Sequence, residues 1–226
     1  MEFGLRIDDS LEIHFARSGY LRMTKRTPLA AAALGLLFAA VPGSADDVTS
    51  LMQQCNDCHG EQGISQDSDV PTIAGLAEFV HADALYIYRD RERPCTDSNY
   101  RHGDTGRAPT NMCDVAAALS DDQIDAIAAA YAALPFVPAK QDFDASLVAR
   151  GTELHQQSCD RCHSRGGTDP EDEAGILGGQ RMDYLRNAFS EYAAGSREQP
   201  EKMQQALAKL SPADIEALLN YYASLQ

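Results

Sequence analysis

One five-residue pattern occurs twice in this chain, as Cys55-Asn56-Asp57-Cys58-His59 and as Cys159-Asp160-Arg161-Cys162-His163. The two copies are offset by 104 residues, and the offset persists beyond them: Ile73 matches Leu177, Gly75 matches Gly179, Ala84 matches Ala188, Tyr88 matches Tyr192 and Arg93 matches Arg197. Leu76 stands where the second copy has Gln180. After Arg93 the offset drops to 91, pairing Met112 with Met203, Leu119-Ser120 with Leu210-Ser211, Ile124 with Ile215 and Tyr131 with Tyr222. The chain is therefore a tandem duplication. Its first copy carries 13 extra residues between Arg93 and Met112.

A Cys-x-x-Cys-His pattern reads as c-type haem attachment. Two thiols one helical turn apart form thioethers with one edge of the porphyrin, and the adjacent His lies under the iron. A zinc knuckle does not call for His directly after the second Cys, twice. A thioredoxin-type pair should follow a strand, but LMQQ and LHQQS, before the two motifs, read as helix. The expected cofactors are two covalently bound haem c, held by Cys55, Cys58, Cys159 and Cys162, with His59 and His163 as proximal ligands.

Each copy reads as all-α. A short helix enters the motif, a second covers residues 77 to 92, and a last helix starts at Ser120 with Gln123 completing a capping box. Ile124, Ile127, Ala128 and Tyr131 recur at helical spacing. In the second copy Ser211 caps, Pro212 takes the first helical position, and Ile215, Leu218, Leu219 and Tyr222 form the stripe. A domain of about 90 residues buries little core on its own, so the cofactor is expected to supply missing apolar volume. PFVPAKQDFD, residues 135 to 144, has two prolines and no helical pattern and reads as a linker. The expected boundaries are 46 to 134 and 145 to 226 for the domains.

Residues 1 to 45 are expected to stand outside the fold. MTKR (23 to 26) precedes the apolar run TPLAAAALGLLFAAVPGSA, which ends in small residues, the order of a secretory signal. The run is short for a membrane span, which needs about 20 residues. Residues 1 to 22, before Met23, are likewise expected to be no part of the fold. Export implies a periplasmic, oxidising compartment. The remaining chain has 14 basic and 30 acidic residues. Such a surface repels nucleic acid and anionic membranes and suits a basic protein partner.

A haem with two protein ligands mostly carries electrons. Met112 and Met203 are the only methionines related by the repeat, and each precedes the capping Ser of a last helix. They are the expected distal ligands; core filling is the competing role. His81, His102 and His155 are alternative ligands, none with a His at its repeat position. Pro71, 12 residues after His59, is expected to offer its carbonyl to the proximal imidazole N–H and so fix the orientation of the ring. Gly175 stands at that place in the second copy, so another carbonyl is expected to serve His163.

The chain resembles the short diheme cytochromes of the c-four type: two class-I-like cytochrome c domains in tandem, with GILGGQRMDYLRNAFSEYAAGSRE, then Met203 and a last helix ending NYYASLQ. The resemblance is closer to the cytochrome subunit of flavocytochrome c sulfide dehydrogenase, through PAKQDFD, LHQQSCDRCHSRGG and DEAGILGGQ. It covers residues 46 onward and is most specific from 135. It implies a chain that is no enzyme by itself. Such a chain takes electrons from an FAD-containing sulfide dehydrogenase flavoprotein subunit and passes them to a soluble cytochrome c. The alternative is a free-standing periplasmic diheme carrier serving a terminal oxidase; a diheme peroxidase would need one open iron. The 13-residue insertion departs from the resemblance. Cys95 and Cys113 flank it, and Gln199 and Gln204 stand at the matching positions. Two chemistries fit: a Cys95–Cys113 disulfide, or a copper or zinc site with His102.

Overall fold

The computed structural model describes residues 45–226. The expected leader and signal segment, apart from Ala45, lies outside the described residues. Among the described residues there are nine α-helices, and the only β-pairing is a single antiparallel bridge, Ser98 to Thr110. No described helix is long and apolar enough to cross a membrane.

The first half holds α1 (Ala45–His59), α2 (Glu78–Arg89), α3 (Met112–Ala117) and α4 (Asp121–Ala132). The second holds α5 (Ala145–Ser158), the single turn α6 (Ser164–Gly167), α7 (Met182–Ala193), α8 (Glu201–Leu207) and α9 (Pro212–Ser224). Ser120 and Gln123 form the reciprocal cap of α4. Ser211 does the same for α9, with Asp214 as its partner and Pro212 in the first turn. Each such cap satisfies end donors that would otherwise cost about 1 kcal/mol.

The last helix of each half buries its apolar stripe on the helix that enters the motif, α4 on α1 and α9 on α5. Ile124, Ala128, Tyr131, Leu218, Leu219 and Tyr222 are completely enclosed. Gly151 lets α5 and α9 meet closely, because a Cβ there would strike the Ala217 carbonyl. The two cores differ in how much they fill. In the second half Leu154, Leu185, Ala217, Leu218, Leu219, Tyr221 and Tyr222 form one buried cluster. In the first, the corresponding cluster is Leu51, Ile127 and Tyr131, and it borders a cavity.

The segment 135–144 is non-helical, as its prolines require, but it is tied down along its length. The Ala139 N–H donates to the Gly179 carbonyl (2.7 Å), the Gln141 side chain donates to the Gln180 carbonyl (2.8 Å), and the Asp144 N–H donates to Asn220 Oδ1 (2.6 Å). Gly75 and Gly179, matched by the repeat, both have φ near +75°; a Cβ would meet the strap, at Phe136 and at Pro138 respectively.

The halves are also joined directly. The Thr72 N–H donates to Gln180 Oε1 and Gln180 Nε2 donates to the Thr72 carbonyl, both at 2.9 Å and both buried. The Tyr184 N–H donates to the Ser68 carbonyl (3.0 Å), and the Arg181 guanidinium to the Ser65 carbonyl (3.0 Å from Nε). Leu76, the repeat partner of Gln180, has no group with which to return the bond.

Candidate haem sites

In the first half α1 runs on through Cys55, Cys58 and His59. The Asn56 side chain anchors this turn: its Oδ1 accepts from the Gly63 N–H (3.0 Å) and from the Tyr131 hydroxyl (2.8 Å). His59 is buried, and its Nδ1–H donates to the Pro71 carbonyl at 3.0 Å. A carbonyl only accepts, so the proton sits on Nδ1 and Nε2 keeps its lone pair for a metal. Burial lowers the His59 pKa and so favours this neutral form.

The second half reaches the same arrangement by another path. The expected carbonyl substitute for His163 is not needed. His163 Nδ1–H donates to the Gly175 carbonyl at 3.1 Å, at the position matching Pro71. The bond is made by main chain, so exchanging Pro for Gly leaves the acceptor in place. Burial likewise holds the His163 imidazole below its usual pKa.

The helix that runs unbroken through the first motif does not run unbroken through the second. α5 ends at Ser158, and Cys159 to His163 form turns, with the His163 N–H donating to the Cys159 carbonyl (3.0 Å). Two substitutions accompany the change. His155 replaces Leu51, and Asp160 replaces Asn56. The Tyr222 hydroxyl now pairs with His155 Nδ1 (3.1 Å), and Asp160 turns toward His155 Nε2 (3.4 Å). The bond that Asn56 makes to the last helix is absent here, and the Tyr222 hydroxyl meets the motif at Cys159 instead. Cys162 is exposed where Cys58 is half-buried.

Three of the motif thiols, Cys55, Cys58 and Cys159, are shifted toward the protonated form. Burial pushes Cys55 up to about 11, and burial with neighbouring Asp57 raises Cys58. Burial also raises Cys159. A nucleophilic redox pair shows the opposite shift.

A cavity of about 500 Å³ opens beside α1, the size of a cofactor pocket. It brings together Cys55, Cys58, His59 and Met112, the first residue of α3, with apolar walls from Leu51, Val80, Leu85 and Ile127. Met203 lies half-buried in α8. Of the alternative ligands, His81 lines the first cavity with its Nε2 unpartnered. His155 is committed to Tyr222, and His102 lies outside, near Asp67. Cys95 and Cys113 are joined as a disulfide with Cα atoms 5.6 Å apart. Among the described residues no group of three or more His, Cys, Asp or Glu is arranged around a metal position.

Sequence reasoning paired Tyr88 with Tyr192 and Arg93 with Arg197 but gave them no task. Arg93 stacks on Tyr88 (4.2 Å to the ring centre) and Arg197 on Tyr192 (4.5 Å). Both guanidiniums line the cavity beside Tyr184. Burial alone would raise the Tyr184 phenol, but Arg197 and Arg93 bring it below its usual value. The repeat of both residue types was the signal available in sequence.

The fold and these paired sites define a class, the tandem c-type cytochromes. The chain shares 30% identity over 182 residues with the thiosulfate dehydrogenase electron acceptor of Thiomonas intermedia, over 76% of this chain and 77% of that protein. It is 28% identical over 204 residues to cytochrome c4 of Pseudomonas aeruginosa, covering 84% of this chain and 92% of the relative. The reduced cytochrome c4 of Pseudomonas stutzeri superimposes with a TM-score of 0.64 at 26% identity, over 81% of this chain and all of that one. No protein-family profile matches the chain. The chain belongs to the family of diheme c-type cytochromes that contains cytochrome c4 and the thiosulfate dehydrogenase electron acceptors. It is built of two tandem cytochrome c domains, and its cofactors are two covalently bound haem c.

The residues fit that cofactor. A haem has apolar faces and two carboxylates. The cavity offers apolar walls; Arg93 Nε and His81 Nε2 here have no hydrogen-bond partner, and Arg197 Nη1 has only an ion pair with Glu191 at 3.5 Å. Unpaired buried guanidinium atoms are costly, and an anionic group would satisfy them.

Proposed function

We propose that this chain is a periplasmic electron carrier that accepts electrons from a separate sulfur-compound dehydrogenase and passes them to a soluble cytochrome c. Haem supplies one-electron redox chemistry, and the protein contributes binding, orientation and electrostatics. Cys55 with Cys58, and Cys159 with Cys162, form the thioethers. His59 and His163, oriented by the Pro71 and Gly175 carbonyls, would hold the irons through Nε2. Met112 and Met203 would hold the irons together with the two His, and a His/Met set would raise the potential relative to two His. The observation that carries the reading is the matched pair of imidazole-to-carbonyl bonds at 3.0 and 3.1 Å, each 12 residues beyond its His.

Two donors have support. The electron-acceptor relatives favour a thiosulfate dehydrogenase. PAKQDFD and DEAGILGGQ favour the FAD-containing sulfide dehydrogenase subunit. Mixing the oxidised diheme protein with each dehydrogenase and its substrate, and following haem reduction, decides between them. The isolated chain should oxidise neither substrate at a useful rate. Rapid sulfide or thiosulfate oxidation by the pure protein would overturn the carrier reading. Reduction by neither dehydrogenase would favour a free-standing carrier serving a terminal oxidase.

A further inference from the structure

The insertion has a definite seat. Its base is closed by the Cys95–Cys113 disulfide, and Ser98 and Thr110 exchange main-chain hydrogen bonds of 2.7 and 3.0 Å. Its tip folds back onto the first attachment motif. The Arg101 and His102 N–H groups both donate to the Asp57 carbonyl at 2.9 Å. The Arg107 guanidinium donates to the Asp57 carboxylate and stacks on Tyr100, 3.5 Å from the ring centre. Arg101 also reaches Asp67 (3.3 Å) and Asp69 (2.9 Å) on the loop behind the motif. Asp57 lies between Cys55 and Cys58 and is 9% exposed, whereas its repeat partner Arg161 is open to solvent.

Electron transfer between proteins falls steeply with distance, so the covered motif is the poorer contact. The two surfaces also differ in charge. Residues 96 to 111 hold two Arg and two Asp and are neutral. Residues 160 to 173 hold two Arg and five acidic residues, with Glu171 and Glu173 exposed.

We propose that the insertion shields the first attachment motif from other proteins, and that the second motif is the port where a positively charged redox protein exchanges electrons with this chain. The proposal rests on the carrier reading above. It commits to a basic protein because the open motif carries the acidic charge, and complementary charge steers encounter.

The test uses the full haem-loaded protein, reduced, mixed by stopped flow with an oxidised basic soluble cytochrome c at low ionic strength. Two variants make the same change in net charge, at the two places. Glu171→Gln with Glu173→Gln should slow the second-order rate by about five- to tenfold, with the difference fading as salt rises. Thr105→Lys with Ala108→Lys, on the insertion, should change it by less than about twofold. An equal or larger loss from the insertion variant would overturn the proposal. Carbodiimide cross-links mapped by mass should join the partner's lysines to Glu171 or Glu173; links concentrated at Asp97 or Asp104 would contradict it. A third variant, Arg101→Ala with Arg107→Ala, releases the cover. Amide exchange in residues 98 to 110 should rise, and a second electron-exchange phase, absent in the parent, should appear. If exchange rises and the kinetics stay unchanged, the insertion is not a shield. These measurements need no dehydrogenase, so they stand apart from failure to find the donor.

Discussion

The two halves of this molecule share a plan and differ in where they are tied. In the first, the attachment motif continues a helix, Asn56 tethers it to Tyr131, and the insertion holds it from outside. In the second, the motif stands on exposed turns beside the larger buried apolar cluster. Duplication made the halves equivalent. The insertion in one half and a few substitutions in the other then left one motif enclosed and the other open. Similar chemistry can thus be given different access without altering the residues that perform it.

The largest expected effect separates the two irons. Met112→Ala should convert carbon monoxide binding from none to one per protein, all at the first haem, with the second haem's spectrum unchanged. A variant that stays fully low-spin at the same potential would remove Met112 from the ligand set.

Next comes the inter-half bond, which only one half can make. Gln180→Leu copies Leu76 and leaves the buried Thr72 N–H and carbonyl unpaired. At about 1–3 kcal/mol for each group, the loss should be about 4 kcal/mol in denaturant unfolding. Leu76→Ala, on a half-buried side chain, should cost less. Equal losses would mean that the asymmetric contact carries no special weight.

The disulfide is smaller in effect and local. Cys95→Ser with Cys113→Ser should destabilise the first half by about 3 kcal/mol and lower the potential of the first haem alone, because Cys113 adjoins Met112. A matched fall at the second haem in redox titration would show that the loop acts on the whole molecule.

The smallest effect contrasts His81 with its twin Leu185. Burial lowers the His81 pKa to about 4. The unfolded chain binds this proton near pH 6.5, so the unfolded state is favoured as pH falls from about 6.5 toward 4. His81→Leu should flatten that acid loss and raise stability near pH 7 by about 1 kcal/mol. A variant with the parent's pH profile would show that His81 is not the group responsible.

Much of the architecture was legible because it depends on local chemistry. Capping residues, apolar stripes and the paired motifs act over a few residues, where spacing is geometry. Gly175 shows the limit. Side-chain identity suggested a lost acceptor, yet the acceptor is main chain and survives substitution. His155 shows another, because a single buried imidazole in place of Leu51 takes the Tyr222 hydroxyl, a pairing no repeat comparison announces. Gln180 was visible as a break in the repeat, but its partner Thr72 lies 108 residues away.

By itself the sequence determined the duplication, the helical class, the haem-binding residue types and the position of the insertion, since each is written in spacing. Only the tertiary structure decided that the linker is a strap, that Arg93 and Arg197 converge at one cavity, and that the insertion closes over Asp57. Those outcomes depend on contacts between residues far apart in the chain. Their energies are set by burial and hydrogen-bond geometry, which no local pattern encodes.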